Sequence, residues 1–480
     1  MDNNWESVIG LEVHVQLKTK SKLFSGAPNK FGGTANSQAS LIDLGYPGTL
    51  PVINDEAIVM ALKLGVALDG DIPKQTVFAR KNYFYPDLPK GYQISQFDKP
   101  IISGGFLTIQ AGGKERKINL TRAHLEEDAG KSIHLPNERL TGLDLNRAGT
   151  PLIEVVSEPE IKNATEAVSF MKALRELVRH LEICDGNMQE GSFRCDANIS
   201  VKQKELDKLG TKVEIKNLNS FKFVENAINF EITRQIDRLE NGGTIIQETR
   251  LYDEKTGRTK TMRTKEDEND YRYFPDPDLL PVEINSSKLK VIIDTAIELP
   301  LNKRKRYAVD LGLNQAQIDT LLNDPALTSF FEKSIRNSDL SPKLSANWVT
   351  GEMMKYLNEK NINISQSKIN SESFIKVLKL IEIDECTQND AKRIFKTIWD
   401  DEVSVEEAIQ KTLSGKEKFS DENLTTIVKK VLRDHPKQVE QYLAGKKKIF
   451  GFLVGQVMKA SVGEADPKRV SKMIENELIG

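Results

Sequence analysis

The stretch GLEVHVQL, Gly10 to Leu17, decides how the first half of the chain is read. Leu11, Val13, Val15 and Leu17 alternate with Glu12, His14 and Gln16. Strict alternation over this length is the mark of a β-strand with one face in a core. The other face carries two ionisable groups and an amide about 6–7 Å apart along the strand. On a single strand, solvent contact accounts for such a face. The same pattern recurs further along, so the polar face needs a second explanation.

In LTRAHLEEDAGKS, Arg122, His124 and Glu126 share one parity, with Glu127 beside them. Glu154 interrupts the apolar run PLIEVV. Asp196, Asn198 and Ser200 alternate against Cys195, Ala197, Ile199 and Val201, and Glu214 and Lys216 alternate against Val213 and Ile215. If these strands are neighbours, their polar faces make a floor of Glu, Asp and His. Packed carboxylates repel and raise one another's pKa. A divalent cation removes that cost, and oxygen-rich ligation with one imidazole suits Mg²⁺ or Mn²⁺. Such a floor is what phosphoryl transfer from ATP requires. Two readings stand at this point: a metal-binding floor, or unrelated solvent faces.

The 480 residues suggest two to four domains at roughly 100–200 residues each. A hydrophobic content of 39% and a charged content of 29% fit a water-soluble globular chain. Three scattered cysteines, Cys184, Cys195 and Cys386, with no CxxC pair, point to a reducing compartment, and we expect a cytoplasmic protein. The opening MDNNWESVIG has no basic and apolar signal-peptide pattern, and no apolar run reaches the roughly 20 residues of a membrane span. With a net charge of −2, a nucleic-acid partner must be met by a local patch.

Up to about residue 293, short alternating strands, Gly/Pro turns and helices over Glu56–Leu68, Ala164–Glu182 and Phe223–Asn241 predict an α+β domain with an antiparallel or mixed sheet. After ELPLNKRKRYAVDLGL the pattern becomes helical to the end, with a second boundary near TLSGKEKFS. The expected parts are 1–293, 294–410 and 411–480.

Other motifs carry less. DAGKS lacks the first glycine of a phosphate-binding loop, because that place holds Leu125. Cys195 lies on the apolar parity of its strand, a buried small hydrophobe. Aromatic and basic residues interleave in ARKNYFYPDLPKGYQISQ, where Tyr83 and Tyr85 could stack a base; a proline-pinned structural loop is the alternative. In the tail, Lys446, Lys447 and Lys448 precede a helix whose apolar stripe is Phe450, Val454, Val457 and Met458. The lysines are either solvated surface or a patch that tracks an RNA backbone. Gly451 and Gly455 would let another helix approach.

Taken in order, GLEVHVQL, RKNYFYPDLPKGYQISQ, HLEEDAGKS, NRAGTPLIEVVSEP, EGSFRCDANIS, EIKNLNSFKF, DYRYFPDPD and GKKKIFGFLVGQVMKAS resemble the signature segments of one family, the B subunits of the tRNA-dependent aspartyl/glutamyl-tRNA amidotransferases. The resemblance runs from about Trp5 to the C-terminus. It implies a catalytic cradle distantly similar to glutamine synthetase, a helical domain and a small helical tail that binds tRNA. The implied reaction is ATP-dependent phosphorylation of the side-chain carboxylate of misacylated Glu-tRNA(Gln) or Asp-tRNA(Asn). Ammonia from an amidase A subunit then gives the amide, with a small C subunit completing a heterotrimer. Carried over residue by residue, the resemblance implies His14, Glu127 and Glu154 at one metal and Glu12, Asp196 and Glu214 at a second, nucleotide-linked metal. Lys216, Asn217 and Ser220 fall at the nucleotide or aminoacyl end. Some members carry cysteine pairs for zinc near LFSGAPNKFGGTANSQASLIDLGYPGTLPVIN; here Ser, Ala and other non-ligands stand there, so no zinc is expected. A non-catalytic tRNA-binding scaffold and a free-standing ligase using ammonia directly are the competing readings.

Overall fold

The computed structural model describes residues 4–134, 140–264, 271–336, 338–414, 421–461, 465 and 467–479. Strands run in chain order as β1 (Trp5–Gln16), β2 (Gln75–Thr76), β3 (Ala79–Asn82), β4 (Tyr92–Ser95), β5 (Ile102–Ser103), β6 (Phe106–Ala111), β7 (Lys114–Glu127), β8 (Lys131–His134), β9 (Thr141–Asp144), β10 (Pro151–Ser157), β11 (Phe193–Gln203), β12 (Val213–Lys216), β13 (Glu248–Asp253), β14 (Arg258–Thr264), β15 (Phe274–Pro275) and β16 (Val282–Glu283). Helices α1 (Asp55–Ala67), α2 (Ala164–His180), α3 (Phe221–Glu240) and α4 (Ser286–Asp294) accompany them. The chain divides into two compact units, residues 1–303 and 304–480.

In the first unit nine strands form one sheet, ordered β14-β13-β12-β11-β1-β10-β7-β5 with β6 also on β7. The pairing of β12 with β13 is parallel, and the other pairs are antiparallel. β1 sits between β10 and β11. Its alternation does what the sequence predicts: Leu11, Val13 and Val15 are fully buried, while Glu12, His14 and Gln16 take the opposite face. The buried face joins Phe170, Met171 and Leu174 of α2 and Val224, Ala227 and Ile228 of α3 in one core. Each of the larger of these side chains contributes about 1.5–3 kcal/mol by leaving water. With helices on the apolar face, the acidic side chains share the other face, where they are buried or half-buried.

The helix expectations hold with shifted ends. Asn163 caps α2 by accepting from the Glu166 amide, and the helix stops at His180 rather than Glu182, because Glu182 turns into the left-handed region at φ +57°. α3 begins at Phe221, two residues before the expected Phe223, because Ser220 is its cap and accepts from the Phe223 amide at 3.1 Å.

The second unit is helical among its described residues, from the helix Pro300–Val309, which spans the boundary at residue 303, to Pro467–Ile479. One of its cores gathers Phe330, Phe331, Trp348, Phe374 and Phe395, and a separate one gathers Leu424, Val428, Leu453, Val457, Val470 and Ile474. The boundary expected at TLSGKEKFS falls mostly on residues 415–420, outside the described residues. The tail helix Phe450–Ala460 buries Leu453 and Val457, with Phe450, Val454 and Met458 partly buried beside them. Gly451 and Gly455 do not serve a close helix crossing: a Cβ built on either meets nothing within 4 Å among the described residues. No described helix is long and apolar enough to cross a membrane.

Candidate active site

Register across the sheet assembles the floor. His14 on β1 pairs with Arg194 on β11 and Glu154 on β10, and Glu154 pairs in turn with His124 on β7. One row along, Glu12 pairs with Asp196, and Asn198 on β11 pairs with Glu214 on β12. Neighbouring strands lie about 4.8 Å apart, so side chains in a row are within contact range.

Two groups of potential ligands result. In the first, His14 Nε2 lies 3.3 Å from Glu154 Oε2 and 3.8 Å from Glu126 Oε1. In the second, Glu12, Asp196 and Glu214 converge. Within each group the ligand atoms lie within 4.8 Å of one another. Lys216 Nζ sits 2.6 Å from Asp196 and 2.9 Å from Glu214, Asn198 donates to Glu12 at 2.9 Å, and the Thr249 hydroxyl donates to Glu214 at 2.6 Å.

The electrostatics fit a cation. Burial, reinforced by the charges of Glu154, Glu214 and Asp196, pushes the Glu12 carboxyl above its ordinary range. That is the uncompensated charge a divalent ion would relieve. Burial disfavours a charged His14, but its hydrogen bond to Glu154 and the nearby carboxylates outweigh burial and raise it to about 9. Burial opposes charge on Glu154 as well, and the His14 bond overrides it and holds that carboxyl low. Burial likewise disfavours charge on Lys216, and Asp196 and Glu214 override it. The donor set, carboxylates with one imidazole in the first group and three carboxylates in the second, is one that could hold divalent cations.

The expected trio of His14, Glu127 and Glu154 is corrected in one member. Glu126, not Glu127, comes to His14 and Glu154. On a strand, consecutive residues face opposite ways, and the parity of Arg122, His124 and Glu126 already carried that signal. Glu127 instead bonds the Lys90 ammonium and accepts from the Ile94 amide at 2.9 Å.

Asn217 and Ser220 have backbone duties. Asn217 adopts φ +68° and donates to the Tyr252 carbonyl at 3.0 Å, and Ser220 caps α3. Tyr83 donates to Gln93 at 3.2 Å and meets Tyr85 and Tyr271 edge-on at 5.9 and 6.0 Å. Tyr85 is half exposed. Lys446, Lys447 and Lys448 are exposed on the second unit.

His124 shares the polar parity of Glu126, and its Nε2 lies 3.6 Å from Glu126 and 3.8 Å from Glu154. Lys81, one of the basic residues interleaved with aromatics in ARKNYFYPDLPKGYQISQ, has its ammonium 4.7 Å from the Tyr271 ring centre. Burial opposes charge on Lys81, and Glu126 leads the groups that override it. Strand parity marks His124 in the sequence and the basic–aromatic interleaving marks Lys81, but neither signal names their partners.

Known proteins are similar to the chain over nearly its whole length. Residues 7–290 match the family described as GatB/GatE catalytic domain, and residues 329–478 match the GatB domain. The chain is 51% identical over 476 residues to the aspartyl/glutamyl-tRNA(Asn/Gln) amidotransferase B subunit of Thioalkalivibrio sulfidiphilus, covering 99% of both chains. It is 50% identical over 478 residues to the protein of that name from Halorhodospira halophila, again covering 99% of each. The Coxiella burnetii protein of the same name matches at 50% over 477 residues, 99% of this chain and 100% of that one. With both family models matched and half its residues shared with these proteins from end to end, the chain belongs to the GatB family of tRNA-dependent amidotransferase B subunits.

Proposed function

We propose that the chain is the component that activates the acidic side chain of a misacylated tRNA and converts it to the amide. A carboxylate is a poor acyl donor, whereas an acyl phosphate is a good one. ATP transfers its terminal phosphoryl group to the side-chain oxygen of Glu-tRNA(Gln) or Asp-tRNA(Asn), releasing ADP. Ammonia then attacks the acyl carbon, phosphate leaves, and Gln-tRNA(Gln) or Asn-tRNA(Asn) results. One observation carries the reading: two acidic groups from five strands share one face of the sheet.

Glu126, His14 and Glu154 would hold one divalent cation, and Glu12, Asp196 and Glu214 the second. Mg²⁺ there would supply charge neutralisation at the transferring phosphoryl group. Asn198 and Thr249 orient Glu12 and Glu214 through their hydrogen bonds. Lys216 supplies a further positive charge beside Asp196 and Glu214. Tyr83 and Tyr85 offer rings for a base. The cradle similar to glutamine synthetase, the division at 293 and 410, an amidase A subunit, a small C subunit and a cytoplasmic setting complete the proposal.

The test is trapping. The assembled complex with Glu-tRNA, Mg-ATP and hydroxylamine, but no amide donor, is expected to form the hydroxamate of the tRNA-borne amino acid. Chelating the divalent ion should abolish it. Hydroxamate formed at an unaltered rate without divalent cation would remove the metal floor from the mechanism.

The tail supplies an independent expectation. Changing Lys446, Lys447 and Lys448 together to Ala should weaken tRNA binding and flatten its log–log salt dependence by about 2, since each phosphate contact contributes about 0.7–0.9. Titrations at several salt concentrations measure this, and an unchanged slope places the lysines outside the RNA contact.

A further inference from the structure

A floor of carboxylates is a poor place to receive another carboxylate, yet the proposed substrate presents one. Beside the two divalent cations proposed above, a side-chain cation can meet it. His14 and Lys216 are already engaged with floor carboxylates at 3.3 Å and at 2.6 and 2.9 Å. The Lys81 ammonium is seated against the Tyr271 and Tyr83 rings at 4.7 and 5.9 Å.

Arg194 differs. It lies opposite His14 in the β1–β11 register, on the same face as Asp196. Its Nη2 donates to Asp128 Oδ2 at 2.7 Å. Asp128 is fixed in turn by Gln16, which donates at 2.9 Å, by the Ala129 amide at 3.0 Å and by Arg147 at 3.7 Å. The guanidinium is thus held at one corner. Its Nε is buried with no hydrogen-bond partner among the described residues, although buried donors are rarely left unpaired. The side chain is still about a third exposed, at 31%. A guanidinium has five N–H donors in a planar fork matched to carboxylate geometry. Arg194 therefore keeps donor capacity beside the floor that no described protein group uses.

We propose that Arg194 binds the side-chain carboxylate of the amino acid carried by the tRNA, with Asp128 as the residue that positions it. The inference rests on the function proposed above. Lys216 lies on β12, at the Glu12, Asp196 and Glu214 group, whereas Arg194 lies beside His14. The nucleotide and the amino acid would accordingly meet different cations. Because Arg presents a fork and Lys a point charge, Lys is a poor replacement at a two-point contact.

The experiment compares R194Q and R194K with wild type in the assembled complex. For R194Q, kcat/KM for the aminoacyl-tRNA should fall about 100-fold, the magnitude of losing a buried charged hydrogen-bond partner. Affinity for Mg-ATP and for uncharged tRNA should stay within about twofold, since neither carries that carboxylate. R194K should recover less than about tenfold of the lost kcat/KM. Wild type should bind Glu-tRNA more tightly than Gln-tRNA, and both variants should lose that preference; R194K supplies this reading if R194Q does not fold. Unchanged kcat/KM, or a loss of Mg-ATP affinity as large as the loss for aminoacyl-tRNA, overturns the assignment, the latter placing Arg194 on the phosphates. A wild-type complex that forms no hydroxamate sinks the function itself, whereas active wild type with unaffected variants sinks only the role of Arg194.

Discussion

Changing Glu126 to Gln in the assembled complex is expected to lower amide formation by roughly 1,000-fold, the scale of losing a main electrostatic contributor to a transition state. Gln keeps the shape of Glu but removes the charge that faces His14 at 3.8 Å and His124 at 3.6 Å. A divalent cation seated there would lose a ligand oxygen and half of its local compensation with Glu154. Part of the activity should return at higher Mg²⁺, as expected for a weakened site. Glu127→Gln is the matched control. Its carboxylate faces Lys90 and the Ile94 amide, so it should leave the Mg²⁺ requirement unchanged, whatever it does to turnover. Titrating activity against Mg²⁺ for both variants decides the matter. If Glu127→Gln shifts the Mg²⁺ requirement and Glu126→Gln does not, the ligand set reverts to the one implied by resemblance alone.

The second large effect concerns stability. Glu231 on α3 is fully buried yet ionic. It accepts from Arg234 at 2.6 and 3.0 Å, from Gln235 at 2.9 Å and from Thr259 at 3.2 Å, with Arg250 at 3.7 Å. The network ties α3 to β13 and β14. Removing one partner of a buried pair leaves the other charge uncompensated, at a cost of about 3–5 kcal/mol. Glu231→Ala should lose that much, read from the midpoint of urea unfolding of the first unit's transition. A loss below about 1 kcal/mol would show that Arg234 and Arg250 find water when the carboxylate goes. The network also bears on the floor: β13 carries Thr249, which holds Glu214, and β13 pairs with β12 alongside Glu214 and Lys216. A loosened β13 should therefore weaken the second acidic group as well as the fold.

Much of this protein is legible in its residues. Alternation in β1 and β11 separates a core face from an acidic face without any knowledge of neighbours, because strand geometry alone sends successive side chains to opposite sides. It also placed Cys195 in the core, where it is buried with its thiol raised by burial. The change from alternation to helical periodicity near residue 300 likewise needs no tertiary information.

Tertiary structure alone decided which polar residues meet. β1 lies between β10 and β11, strands more than a hundred residues away, and only their hydrogen-bond register puts Glu12 opposite Asp196 and His14 opposite Glu154. Parity in the sequence already sets Glu126 apart from Glu127, and register then brings Glu126 to His14 and Glu154. Asn217 and Ser220 follow Glu214 and Lys216 closely in sequence, and in the fold Asn217 donates to the Tyr252 carbonyl and Ser220 caps α3. Local physics assigned each side chain a face. Long-range pairing, which no short window of sequence contains, assigned it partners.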